Sequence, residues 1–276
     1  MTSQTHATEK IKIVKKNKDM NEISNGANII LNIVFIVAVL ITVVPIWVII
    51  VASFTSEHAL TTYGYGFWPQ EWSGEAHKFL FSKGSIIGTA YKNTIIATVA
   101  GTLLCVASVG LYAYPISRPD FRWRKVFTFI SFFTQLFTAG TVAFYVTCRQ
   151  ILHIGNSVWA LFLPLSFSAY WVLVMRSFYK SNVPDAVIES ARIDGANEVR
   201  IFAQIVLPIS KPILATITLF AGMGYWNEWQ KALLYIDDTA LYPLQYIIMK
   251  LQNQVNFLTS SFGAQALAAL GDVTLP

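Results

Sequence analysis

Few side chains in this sequence are arranged for covalent or metal chemistry. The four histidines are scattered without metal-ligand spacing: His6, His58, His77 and His153. Cys105 and Cys148 lie within or at the edge of apolar stretches, so we expect two buried thiols and no disulfide or metal pair. The sequence has no G-x-x-x-x-G-K-[ST] phosphate loop. It therefore predicts no catalytic activity and no metal or cofactor within this chain.

An aromatic and acidic cluster is the first candidate for ligand binding: Tyr225, Trp226, Asn227, Glu228 and Trp229. At ~1.5 Å per residue, the Trp-Asn-Glu-Trp run lies roughly 21 to 26 Å along an apolar helix that starts at Pro212. A carboxylate at that depth in a membrane is costly unless it faces protein or water. Aromatic faces stack on sugar C–H groups while amides and carboxylates bond hydroxyls, so we predict a substrate pathway. The alternative is an interfacial tryptophan anchor with Glu228 reaching water.

Tyr170 and Trp171, in the preceding apolar block, are weaker candidates for the same pathway. Prolines within the apolar blocks also bear on the helices that would line it. Pro45 and Pro164 are each predicted to kink the helix that contains them.

A polar segment over residues 182–208 separates two apolar blocks. Asn182 is predicted to cap a first short helix, because its side chain can accept a hydrogen bond from a free backbone N–H. Gly195 interrupts the helical pattern, and a second short helix is predicted from about Asn197, ending before Pro208. The pattern therefore indicates two short helices joined by a glycine bend outside the bilayer.

This segment resembles the signature cytoplasmic loop of ABC importer permeases, written E-A-A, three residues, G, nine residues, I, one residue, L-P. Six residues match at the required spacings: Glu189, Ala191, Gly195, Ile205, Leu207 and Pro208. Ser190 replaces the first alanine, which exchanges one small residue for another. The alternative is an ordinary amphipathic loop helix.

The resemblance implies that the segment is a coupling helix that docks on an ATP-hydrolysing partner. Glu189 is then expected to pair with a basic residue of that partner, and Ser190 and Ala191 to allow close approach. Arg192 and Asp194 belong to the same expected contact surface.

From the first apolar block onward, the chain is similar to the carbohydrate-importer permeases, such as the smaller permease of the maltose transporter. Three runs carry this resemblance: Asp194-Gly195-Ala196, Tyr225-Trp226-Asn227-Glu228-Trp229 and Tyr242-Pro243-Leu244-Gln245. It implies a second homologous permease, two ATP-binding subunits that hold ATP and Mg²⁺, and an extracellular solute-binding protein. Permeases of that family continue into a sixth helix that is not visible here, and a truncated chain is the expected explanation.

The elements that position these residues are membrane helices. The 276 residues are 54% hydrophobic and 13% charged, with a mean hydropathy of +0.50, whereas about a quarter of a soluble domain is charged. A spanning helix needs roughly 20 apolar residues, and five blocks qualify, at about 28–52, 94–114, 126–147, 158–178 and 212–235. The predicted fold is an all-α, multi-pass bundle of the type I ABC importer permease class.

The basic residues predict the orientation in the cell membrane. Fourteen of the 20 lie in the N-terminal arm (1–27) and in the connections after the second and fourth blocks. The positive-inside rule then places the N-terminus and the coupling loop (182–208) in the cytoplasm, and it explains the net charge of +5 without nucleic acid. Residues 53–93 and 237–276 are predicted to be external, and residues 94–276 to form the permease core.

Two other functions remain open at this point. One is import of another solute, such as a peptide or a polyamine, by the same kind of machine. The other is an ion-coupled carrier that works alone, which predicts charges buried at mid-membrane.

Overall fold

A computed structural model of the chain describes residues 25–82, 84–137 and 139–260. Most of the predicted N-terminal arm, and residues 261–276 of the predicted external C-terminal stretch, lie outside the described residues. The chain divides after Ser82 into two compact units, and each is described by itself.

The first unit contains a single long apolar helix and two short ones. Helix α1 covers Asn25–Ser53 and includes Pro45 without a break, α2 covers Glu57–Tyr63, and α3 covers Glu75–Ser82. The aromatic stretch after α2 is tied back to α1, because the indole Nε1 of Trp47 donates to the carbonyl of Phe67 at 3.0 Å.

The second unit is helical throughout its described residues, with no β-strand. Its helices follow in chain order: α4 Gly84–Ser117, α5 Arg124–Leu136, α6 Gly140–Val146, α7 Trp159–Phe162, α8 Ala169–Asn182, α9 Asp185–Ile193, α10 Glu198–Ile201, α11 Leu207–Ile209, α12 Lys211–Trp226, α13 Gln230–Tyr235 and α14 Leu244–Thr259. A π-helical turn extends α6 over Thr147–Ile151, and another joins α10 to α11 over Phe202–Val206.

Two helices, α1 and α4, are each long and apolar enough to cross a membrane alone. Three bent pairs raise the number of candidate spans to as many as five: α5 with α6, α7 with α8, and the 198–209 stretch with α12. The α7–α8 pair bends by 49° next to Pro164, as its sequence predicts. The 198–209 stretch meets α12 at 79°, so it does not continue the axis of that helix.

Two helix boundaries and one whole helix differ from the sequence-based expectation. Helix α4 begins at Gly84 and not near Thr94, because the helix extends towards the N-terminus through residues 84–93, where Gly88, Lys92 and Asn93 interrupt the apolar pattern. Helix α12 ends at Trp226, short of the expected end at Tyr235. Helix α14 was not predicted, because its glutamines and asparagines lower its hydropathy although its apolar residues recur at helical spacing.

The core forms where α4 packs between α8 and α12. Val109 of α4, Met175 of α8 and Ile217 of α12 are fully buried there. Cys105 belongs to this cluster, and Cys148 lies in a second one with Tyr235. Both cysteines are free and buried, which confirms the expectation of two buried thiols.

A close approach fixes α12 against α4. Gly101 faces the ring of Tyr225, and a Cβ at Gly101 would lie 2.5 Å from its Cε1 atom. The Tyr225 hydroxyl donates to the carbonyl of Phe162 at 3.1 Å. Small residues allow such contacts between membrane helices.

The N-terminal half of α4 is hydrogen-bonded to the residues that follow α13. The Asn93 side-chain amide donates to the carbonyl of Ala240 at 2.8 Å, and the backbone N–H of Leu244 donates to the Thr94 hydroxyl at 2.9 Å. Asn93 and Thr94 are both buried, so these bonds satisfy polar groups inside the bundle.

Candidate coupling surface and substrate pathway

The predicted coupling segment begins where α8 ends. Pro184 precedes the first turn of α9 with φ at −62°, and Asp185 occupies that turn, where the helix dipole favours a carboxylate. The expectation that Asn182 caps α9 was wrong, because α8 continues through Asn182. Its side-chain amide donates instead to the carbonyl of Phe178 at 3.2 Å.

Gly195 makes the bend between α9 and α10. Its φ of +80° lies in the left-handed region, which an L-residue occupies at a cost. The N–H of Gly195 donates to the carbonyl of Arg192, and the N–H of Ala196 donates to that of Ala191 at 2.9 Å, which is a Schellman motif. The Asn197 side chain then caps α10 by accepting from the N–H of Arg200 at 2.9 Å. The predicted bend is present, and the second short helix starts after Asn197, as expected.

One face of the segment points away from the bundle. Glu189, Ser190 and Asp194 are exposed, and the Glu189 carboxylate makes no hydrogen bond or ion pair within the described ranges. Ile193 and Val199, on either side of the bend, are 87% and 76% exposed. Two large apolar side chains exposed on either side of one bend offer an apolar contact to a docking partner.

The opposite face is fixed by a charged network. Arg192 donates through Nε to Glu198 at 2.9 Å and pairs through Nη1 with Asp120, in the connection between α4 and α5. Glu198 also accepts from the hydroxyl of Tyr114 at 2.7 Å. These hydrogen bonds, first that of Asp120 and then that of Glu198, raise the pKa of Arg192 above its ordinary value. The guanidinium therefore stays charged and joins both short helices to the end of α4.

A second arginine strengthens the same junction. Arg118 is buried, and its guanidinium donates to Asp185 at 3.1 Å and to the carbonyl of Tyr179 at 3.2 Å. The start of α9 is thus attached to the ends of both α4 and α8.

The remaining motif residues lie in the connection to α12. Ile205 and Leu207 are half-buried, and Pro208 is exposed. The expectation that the helix ends before Pro208 was wrong, because Pro208 lies in the first turn of α11, where its missing N–H is tolerated.

The predicted pathway residues are only partly brought together. Tyr225 is buried against Gly101 with its hydroxyl bonded, so its ring packs the core. Trp226 and Trp229 are each more than one-third exposed on either side of the break between α12 and α13. Asn227, in that break, donates to the carbonyl of Met223 at 2.9 Å.

Glu228 is held by its own chain. Its Oε1 accepts from the backbone N–H of Lys231 at 2.9 Å, and its Oε2 lies 3.9 Å from Lys231 Nζ. The two side chains are 19% and 16% exposed. The carboxylate therefore accepts from a free backbone N–H in the first turn of α13 and has a cation nearby, which reduces the cost of its partial burial.

Tyr170 and Trp171 lie near the start of α8. Tyr170 is about half exposed, and its ring meets Trp171 edge to face, with centroids 4.9 Å apart. Trp171 stacks on Phe220 of α12 at 5.7 Å. The structure thus places this pair beside α12, which is the helix that ends at Trp226.

The sequence of this chain matches a known protein family. A sequence model of the family described as the binding-protein-dependent transport system inner membrane component matches residues 106–270. The chain belongs to this family. The matched region includes the last third of α4, the coupling segment and the break after Trp226.

Two relatives of this permease align with it over more than 200 residues each. It is 34% identical over 212 residues to the polygalacturonan/rhamnogalacturonan transport system permease protein YtcP of Bacillus subtilis, covering 77% of this chain and 73% of that protein. It is 33% identical over 218 residues to protein LplC of the same organism, covering 79% and 73%.

A solved structure agrees with the fold. The permease matches a chain from the crystal structure of a bacterial ABC transporter involved in the import of the acidic polysaccharide alginate. The TM-score is 0.76 at 29% identity, over 87% of this chain and 89% of that chain. The fold of this permease is therefore the type I ABC importer permease fold.

Several residues of the coupling surface escaped the sequence analysis. Ile193 and Val199 lie off the buried face marked by Ile188, so a helical projection of α9 would have identified the first of them. No local signal marks Asp120 or Tyr114, because they reach the segment from a distant part of the chain.

Proposed function

We propose that this permease is one half of the membrane-spanning part of an ABC importer for sugars or oligosaccharides. It pairs with a second homologous permease and works with two cytoplasmic ATP-binding subunits and an extracellular solute-binding protein. ATP and Mg²⁺ bind in those partner subunits. The N-terminus and the coupling segment face the cytoplasm, in line with the positive-inside distribution of basic residues.

One observation supports the coupling role above the others. The α9–α10 segment exposes Ile193, Val199 and Glu189, and Glu189 has no ion-pair partner among the described residues. On the opposite face, Arg192 binds Asp120, in the connection that follows α4. The exposed face can bind a partner, and the attached face keeps the segment rigid. A partner that moves can therefore displace the segment without unfolding it. When the ATPase subunits close on ATP, the segment moves as a body and carries α4 with it, which switches the access of the pathway.

The sugar substrate is supported by the names of the relatives and by the exposed tryptophans. YtcP and the alginate transporter are described as carriers of polysaccharides. Trp226 and Trp229 offer aromatic faces beside the break after α12, and such faces bind the C–H surfaces of sugar rings.

The docking surface can be tested by co-purification from native membranes in mild detergent. We expect Ile193→Glu and Val199→Glu to reduce the recovered ATPase by about tenfold, because each places a charge in an apolar contact. Ser181→Glu adds a charge at the exposed end of α8, outside the segment, and serves as the matched control. Equal recovery of the ATPase with all three variants would show that this face does not dock.

The substrate can be tested by ATPase stimulation in proteoliposomes that contain the whole importer. We expect neutral or acidic oligosaccharides, delivered with the binding protein, to stimulate hydrolysis. Stimulation by peptides or polyamines instead would overturn the sugar assignment and leave the importer assignment intact. Transport without any ATPase partner would overturn both.

A further inference from the structure

A basic cavity lies between α5 and α8, where α4 ends. Its volume is about 550 Å³, and its lining includes Arg124 and Lys125 of α5 and Arg176 and Lys180 of α8. The cavity has no acidic residue in its lining. Four cations therefore converge on one space at the end of the bundle that also carries the coupling segment.

These cations lack protein counter-ions. Among the described residues, none of the four forms an ion pair with an Asp or Glu, although the neighbouring Arg118 is paired with Asp185. The Nε of Arg176 donates to the carbonyl of Ile116 at 3.2 Å, which fixes the guanidinium at the cavity wall. Four like charges around one cavity favour an anion within it.

The cavity also has an apolar side. Phe129 and Phe132 line it one and two turns further along α5, and they are 64% and 50% exposed. Thr128, between the charged and apolar parts, has a shielded hydroxyl oxygen with no hydrogen-bond partner in the described part of the chain. A ligand that fits this lining is anionic at one end and hydrocarbon at the other.

We propose that this cavity binds the headgroup of an anionic phospholipid. The phosphate lies among Arg124, Lys125, Arg176 and Lys180, at the N-terminus of α5, where the helix dipole also favours an anion. The acyl chains run along Phe129 and Phe132. Basic pockets between membrane helices on the cytoplasmic side bind such headgroups, and anionic lipids are enriched in that leaflet. A bound lipid then bridges α5 and α8 a few residues before the coupling segment.

The test measures binding of fluorescent phosphatidylglycerol to the purified full-length permease in mixed micelles, with phosphatidylcholine as the neutral comparison. Lys125→Gln/Lys180→Gln removes two exposed cations and leaves the packed Arg176 untouched. Arg122→Gln/Lys211→Gln removes two exposed cations that lie outside the cavity lining. We expect the first double variant to bind phosphatidylglycerol about tenfold more weakly and the second to bind like wild type.

Arg124→Gln provides a second variant if the first pair does not purify in a monodisperse form. Soluble glycerol phosphate is the competitor that separates a lipid from a free phosphate. We expect it to displace the lipid only at concentrations at least about a hundredfold above that of the lipid, because it lacks the chains that contact the phenylalanines. Equal weakening by both double variants, unchanged binding in the cavity variants, or displacement by equimolar glycerol phosphate would each overturn the proposal.

Discussion

Arg192 and Glu198 face each other across the Gly195 bend, with Nε and Nη2 of the arginine 2.9 and 2.8 Å from Oε1 of the carboxylate. The pair closes the angle between α9 and α10. Because the same guanidinium also reaches Asp120, it joins the coupling segment to the connection that follows α4.

Arg192→Gln is expected to separate ATP hydrolysis from transport. The outward face of the segment stays intact, so the ATPase still docks and hydrolyses ATP. The link to Asp120 is lost, while Tyr114 and Arg118 still contact the segment. Its movement is then transmitted to α4 less fully, so we expect several-fold less sugar transported for each ATP hydrolysed in proteoliposomes. Exposed ion pairs contribute about 0 to 1 kcal/mol, so the melting temperature should hardly change.

The control for this variant is Arg200→Gln, because the Arg200 side chain bonds only to Gln204, within its own helical stretch, among the contacts described. Arg192→Lys should recover only part of the coupling, since an ammonium cannot reach two carboxylates with a planar fork. A normal ratio of transport to hydrolysis in Arg192→Gln would contradict the role given to this network.

Gly195 should respond to backbone conformation and not to side-chain size. No atom lies within 4 Å of a Cβ built at Gly195, but its φ of +80° costs an ordinary L-residue about 1 to 2 kcal/mol. We expect Gly195→Asn to retain more assembled ATPase than Gly195→Ala, although asparagine is larger, because asparagine tolerates the left-handed region. Quantifying co-purified ATPase checks this order, and the reverse order would mean that size governs the site.

Gly101 should show the opposite dependence. A methyl group there meets the Tyr225 ring at 2.5 to 2.7 Å, so Gly101→Ala is expected to destabilise the permease by about 1 to 3 kcal/mol through overpacking. Gly88→Ala, in the same helix with open space around it, is the matched control and should be neutral or slightly stabilising. Thermal unfolding in detergent compares the two. Equal melting temperatures would show that α4 and α12 are not packed this closely.

The pair of Glu228 and Lys231 can be tested by a double-mutant cycle. Either Glu228→Gln or Lys231→Gln leaves one poorly solvated charge, which we expect to cost about 1 to 3 kcal/mol because the site is only partly exposed. The glutamine at 228 can still cap α13 through its side-chain oxygen. The double variant should therefore be more stable than the sum of the single effects implies, and simple additivity would show that the 3.9 Å contact is unimportant.

Local signals predicted the local geometry of the coupling segment well. Gly195 and Asn197 predict the bend and the start of the second short helix, because both features depend on residues a few positions apart. Asn182 failed as a cap because the packing of α8 extends that helix, and tertiary context overrides a capping preference. The bend near Pro164 was predictable, whereas the uninterrupted α1 at Pro45 was not.

Contacts between distant residues were beyond any local pattern. Asp120 meets Arg192 across 72 positions, and Asn93 meets Ala240 across 147. The break after Trp226 shows the same limit at short range, because the sequence pattern does not reveal that α12 ends there and that a new helix starts at Gln230. The membrane character and the family signature could be predicted, but the network behind the signature depends on the fold.

Helix α4 connects two distant sets of contacts, one at Tyr114 and one at Asn93. It is one unbroken rod of 34 residues, and Tyr114, near one end, is separated from Asn93 by about 31 Å at 1.5 Å per residue. Tyr114 donates a hydrogen bond to Glu198, and Asn93 donates one to the carbonyl of Ala240. Because no loop interrupts α4 between these two contacts, a tilt of the helix at Tyr114 also moves the residues bonded at Asn93.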